Sequence, residues 1–165
     1  MMNAIDLAKA GLTSSLGTTL AFLEGFSDTD MLVRPAEGAN HAAWQLGHLI
    51  LSERFILGDN LPGVAFQALP AGFEVNHGKE RAHATDLSGW LGMAGYAELM
   101  RETRTATLAA VEQLSEAQLD HPTQGRLATK APKLGNLLVL VGNHDLMHAG
   151  QFTVIRRKLG KPVLF

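Results

Sequence analysis

The stretch LGNLLVLVGNHDLMHAGQFTVIRRKL, residues 134–159, decides the fold. Its apolar positions Leu134, Leu137, Val141, Phe152, Ile155 and Leu159 recur at multiples of three and four residues, the spacing of one helix face. Gly160 and Pro162 end the pattern, so a single long helix is predicted over Leu134–Leu159. Two positions of the same stripe, where packing between helices expects Leu or Val, are His144 and His148.

Working outward, the chain repeats this period three more times. A first helix is predicted from about Asn3 to Phe26, with Ile5, Leu12, Leu16, Leu20 and Leu23 on its buried face. Ser27-Asp28-Thr29-Asp30 stops it and can cap a short turn before Arg34-Pro35. A second helix follows Asn40, its expected N-cap, and carries the stripe His41, Trp44, His48, Leu51 and Phe55 to a stop near Gly58. A third spans about Ala94 to Leu114, with Leu99, Ala106, Leu108 and Val111 available to a core, and Ser115–Asp120 with His121-Pro122 closes it. Between residues 58 and 92, Leu61-Pro62-Gly63, Leu69-Pro70-Ala71-Gly72 and Asn76-His77-Gly78 break every period. A loop that long inside a compact domain is often functional. No strand pattern emerges. The expectation is one all-α domain over residues 1–165, a four-helix bundle with a long loop between helices two and three that permits a crossover.

Composition removes several functional classes. The chain has no cysteine, so neither disulfides nor thiolate ligands are available. A net charge of −2 offers no electrostatic case for nucleic acid, and the one basic run, Arg156-Arg157-Lys158, sits where cations favour a helix C-terminus. No run approaches the roughly 18 apolar residues of a membrane span, and no basic segment precedes an apolar one at the N-terminus, so a cytoplasmic protein is expected.

The histidines carry the chemistry. Residues four apart on a helix project together, so His144 and His148 can aim two imidazoles at one point. Chance gives about 0.25 such pairs in a chain with seven histidines, so placement in the stripe matters more than spacing. His48 lies in the stripe of another helix. Three imidazoles facing one interior leave polar nitrogens to satisfy, and a divalent metal with a vacant coordination position would satisfy them. The competing reading is three separate core or boundary histidines, each hydrogen-bonded locally. His144-Asp145-Leu146-Met147-His148 also approaches the zincin pattern, but Gln151 and Val154 stand where its extended form needs Gly and His. His41, about 10 Å along the axis from His48, reads either as a solvated helix start or as the mouth of a pocket that Trp44 would share. His77 and His83 are loop histidines, exposed or acting as a lid, and His121 is a turn residue. Asp145 and Gln151 are the nearest polar groups that could orient a ligand or act in catalysis, although Asp145 stands about 100° round the helix from His144.

Asn40–Leu49 (NHAAWQLGHL), Gly142–Gln151 (GNHDLMHAGQ) and the tail Arg156–Pro162 resemble the DinB/YfiT-like superfamily of metalloenzymes, and the resemblance covers nearly the whole chain. It implies a four-helix bundle, often a homodimer, binding a divalent metal, commonly zinc or nickel, through one histidine on helix two and two on helix four. Carried onto this chain, these are His48, His144 and His148. The family often has Glu after the first histidine of the pair; here it is Asp145. Some relatives are S-transferases or isomerases that use a low-molecular-weight thiol such as bacillithiol or mycothiol. The resemblance thus implies a metal-dependent enzyme with a small-molecule substrate and possible thiol cosubstrate. A metal-dependent hydrolase and a non-catalytic metal-binding or small-ligand-binding bundle are the alternatives.

Overall fold

The computed structural model describes residues 1–84 and 89–164, and every regular element among them is helical. Four long helices, α1 (Ala4–Leu23), α2 (Ala42–Leu57), α4 (Met93–Glu112) and α5 (Leu134–Lys158), form the bundle; α3 (Phe73–Asn76) is a single turn in the long connection. Their limits follow local chemistry. Asn3 and Asp6 cap α1 reciprocally, Asp6 N–H donating to Asn3 Oδ1 at 2.8 Å. This helix stops at Leu23 rather than Phe26, because Gly25 takes a left-handed φ of 75° that breaks the ladder. At the start of α2 the cap is His41, whose Nδ1 accepts from Trp44 N–H at 3.1 Å. Asn40, the residue expected there, instead gives its carbonyl to the Gln45 side chain at 2.6 Å. Asp28 reaches across from the α1–α2 connection to accept from Met93 N–H, the first donor of α4, at 2.7 Å.

Helix neighbours run α1, α4, α2, α5 around the bundle, so α1 faces α2, and α4 faces α5, across the diagonals. Ser15 meets Asp145 and the Phe22 carbonyl meets Arg156, which makes α1 and α5 parallel. The other two run the opposite way. Leu46, Leu49, Ile50, Tyr96 and Met100 share an apolar cluster with Leu23, Phe152 and Ile155. Ile56, Leu57, Ala110 and Val111 share a second with Ile5, Leu12, Leu134 and Leu137. Both diagonal crossings need connections long enough to pass over an end of the bundle, which residues 24–41 and 113–133 supply.

Three expectations are corrected here. The core face of α2 is Leu46, Leu49, Ile50, Glu53, Ile56 and Leu57, not the stripe through His48; Leu51 is half-buried and Phe55 is 51% exposed. The stripe that includes His48 therefore borders the core. The second correction concerns residues 58–92, which are not wholly irregular: α3 and a 3₁₀ turn at Lys79–Arg81 fold back against the bundle. The part of that loop at 85–88 lies outside the described residues. Arg156, read as a cation for a helix dipole, is buried and donates to the carbonyls of Phe22, Glu24 and Pro162, tying α5 to the end of α1. No helix among the described residues is long and apolar enough to cross a membrane.

Candidate metal centre

His48 leaves α2, and His144 and His148 leave α5, toward one point. Their ring centroids are 5.1 Å (48–144), 5.4 Å (48–148) and 4.9 Å (144–148) apart. One nitrogen from each ring can be chosen so that all three lie within 4.8 Å of one another. Around a cation with metal–nitrogen bonds of about 2.1 Å, ligand nitrogens sit about 3.0–3.4 Å apart, so small side-chain rotations would close the set.

The electrostatics keep protons off the three rings. Burial comes first for each ring. It pushes His48 down from its ordinary 6.5 to about 4, aided by coupling to His144, by the Lys79 ammonium and by coupling to His77. Burial, with the neighbouring His144 and His48, pushes His148 down to about 3. His144 is also lowered by burial, against the partial opposition of Asp145. The rings are therefore neutral near pH 7 and present lone pairs.

Gln45, buried between Trp44 and Leu46, orients one of them. Its amide nitrogen donates to Asn40 O, which turns Oε1 toward His148 Nδ1 at 2.8 Å. The imidazole must therefore donate from Nδ1, leaving Nε2 bare for coordination, the arrangement common to metal-bound histidines. Trp44 stacks on His48 at 4.9 Å with ring planes 8° apart, and its indole N–H donates to Gly78 O at 3.0 Å. That bond anchors the long loop beside the centre. His77 Nδ1–H donates to Phe73 O, and its Nε2 accepts from Tyr96 O–H, both at 2.7 Å. A Cβ at position 47 would fall inside the His77 ring, so Gly47 is what lets that ring lie against α2 beside His48.

The other candidates stand as follows. His77 is buried, 2% exposed, whereas His83 is exposed. His41 is buried rather than solvated, its ring 4.6 Å from Trp90 and its Nε2 without a hydrogen-bond partner among the described residues. Asp145 points away from the imidazoles into the bundle, to Arg104 Nη2 at 2.7 Å and Ser15 Oγ at 2.8 Å. Gln151 is half-buried, and the partner of His148 is Gln45 rather than either of these. Sequence reasoning passed over Gln45 and the buried set Glu53, Arg104 and Thr107. The available signal was polar residues at helical spacing among apolar ones, as in Tyr96, Met100, Thr103, Thr107 and Val111. A groove of about 410 Å³ between α1 and α5 is lined by Leu7, Gly11, Leu138, Val139, Gly142 and Leu146, on the side of α5 opposite the histidines.

Comparison with known proteins agrees with this architecture. The solved structure of YfiT from Bacillus subtilis, described as "a probable metal-dependent hydrolase with an unusual four-helix bundle topology", superposes with a TM-score of 0.67 at 18% identity. The match covers 96% of this chain and 89% of that one. No curated protein matches in sequence. The family model of the DinB superfamily matches residues 12–152, a span that holds all three histidines, Gln45 and the buried ion cluster. The chain belongs to the DinB superfamily.

Proposed function

We propose that this chain is a divalent-metal-dependent hydrolase of a small-molecule substrate, with His48, His144 and His148 as the metal ligands. The observation that carries the reading is the convergence of three neutral imidazoles from two helices, with nitrogens within 4.8 Å of one another. Zinc and nickel both suit an all-nitrogen set, and three protein ligands leave room for water or substrate. A cation held by His48, His144 and His148 would supply Lewis acidity, polarising a substrate bond and lowering the pKa of a water molecule. The chain's own groups do the positioning. Gln45 fixes the tautomer of His148, while Trp44 stacks on His48 and holds Gly78 of the long loop beside it. Asp145 is engaged by Arg104 and Ser15 on the far side from the imidazoles, so it does not serve as the acid or base. The description of YfiT favours hydrolysis over thiol-dependent transfer.

The test starts from protein purified without nickel affinity resin, stripped with a chelator and reloaded with zinc or nickel. Stoichiometric binding and a raised unfolding temperature are expected, and both should vanish in the double variant His144→Ala/His148→Ala. Hydrolysis of simple esters or amides by the reloaded protein, with no thiol added, is the expected activity. Turnover that requires added bacillithiol or mycothiol would reassign the chain to the S-transferases, and stoichiometric metal in the double variant would refute the ligand set.

A further inference from the structure

Between the two apolar clusters lies a buried ionic cluster that the proposed chemistry does not use. Arg104, 1% exposed and on α4, donates all five of its N–H groups. Nε and Nη2 grip the two oxygens of Glu53 on α2 at 2.9 Å each. Nη2 also reaches Asp145 on α5 at 2.7 Å, and Nη1 reaches Ser15 Oγ at 3.2 Å and the Leu12 carbonyl on α1. Thr107 donates to Glu53 at 2.7 Å. Burial alone would lower the guanidinium pKa, but Glu53 and Asp145 outweigh it and hold it above its ordinary value.

Stability alone is a poor reason for such a cluster. Taking charges out of water costs more than their attraction commonly returns, and apolar side chains of similar volume often do as well or better. Its placement suggests another use. The two helices that supply the carboxylates are the two that supply the imidazoles. Asp145 follows His144 directly, and Glu53 lies five residues beyond His48, about 7.5 Å along the axis. Asp145 and His144 leave α5 about 100° apart, so drawing Asp145 into the core sets the angle at which His144 and His148 emerge on the other side. One planar guanidinium bridging Glu53 and Asp145 also sets the distance between α2 and α5.

We propose that Arg104, with Glu53 and Asp145, is a positioning device for the three-imidazole centre, fixing the spacing of α2 and α5 and the rotation of α5. The proposal rests on the metal reading of that centre. A ligand set divided between two helices holds a cation well only if those helices cannot slide or turn, and displacement of a supporting group commonly weakens metal affinity by about 10–100-fold.

Cobalt(II) is the probe, because its visible absorption reports ligand geometry independently of any activity. Wild type, Arg104→Lys and the apolar triple variant Glu53→Met/Arg104→Met/Asp145→Leu are each titrated, with metal-free stability measured alongside. The triple variant is expected to match or exceed wild type in metal-free stability, yet to bind cobalt about tenfold or more weakly with an altered spectrum. Arg104→Lys keeps the charge and loses the fork, and the same direction of change is expected in affinity and spectrum. Wild-type affinity and spectrum in either variant would overturn the positioning role. Should wild type itself bind no cobalt, the metal reading falls and this proposal falls with it. Cobalt bound by wild type but not by His144→Ala/His148→Ala keeps the two questions separate.

Discussion

Gln45 is the residue on which the chemistry of His148 turns. Its carbonyl oxygen accepts from Nδ1, and its amide nitrogen is spent on Asn40, so the side chain has a single useful orientation. Gln45→Leu keeps the approximate volume and deletes both bonds. We expect metal affinity to drop about 10–100-fold, with helicity retained, as followed by competition against a chromophoric chelator. An unchanged affinity would mean that packing alone orients the ring. Gln45 illustrates what a single sequence conceals: a polar residue within a helix reads as a boundary position until a partner 103 residues away is known. His48, His144 and His148 were legible because imidazoles at core spacing are conspicuous, whereas one glutamine beside a tryptophan is not.

Among the elements, the 58–92 connection is the one whose role changed most between reading and structure. Pro and Gly punctuation marked it correctly as lacking a long period, yet side-chain contacts give it a defined seat. His77 bridges Phe73 and Tyr96, Trp44 holds Gly78, and Gly47 leaves the necessary space. Gly47→Ala forces a methyl group into the His77 ring. Displacement of that ring should lower stability by about 1–3 kcal/mol, measured by urea unfolding. Hydrogen exchange should quicken first in residues 73–82, while the centres of α1 and α5 keep their protection. Uniform loss of protection along the bundle would show that the loop is not a separate latch. Apart from the bond of His77 to Phe73 four residues earlier, these contacts have no local signature, since His77 and Tyr96 are 19 residues apart and meet through helices that must pack first.

For the molecule as a whole, burying histidines links folding to protons. In the metal-free protein burial holds His41 and His48 at about 4 and His148 at about 3, all below the ordinary 6.5. Above about pH 6.5 both folded and unfolded chains keep these rings neutral, and their full contribution to stability is present. As pH falls below that value the unfolded chain takes up protons that the folded chain refuses, so stability declines progressively toward pH 4. Urea midpoints measured in chelator should therefore fall between about pH 6.5 and 4, and the further stabilisation from added zinc should shrink over the same range as protons compete for the nitrogens. A midpoint independent of pH in that window would contradict rings held neutral by burial.

Periodicity and capping by themselves determined that this chain makes four long helices, roughly where each begins and ends, and that His48, His144 and His148 lie on helix faces at core-like spacing. Such features depend on residues within a few turns of one another, so they are written locally. Only the tertiary structure decided the order α1, α4, α2, α5, the placing of Asp145 against Arg104 rather than beside the imidazoles, and the pairing of Gln45 with His148. Each of those depends on how far one helix is turned about its axis against another. Rotation of that kind is set by all the side chains packed between helices together, which is why no local stretch of sequence records it.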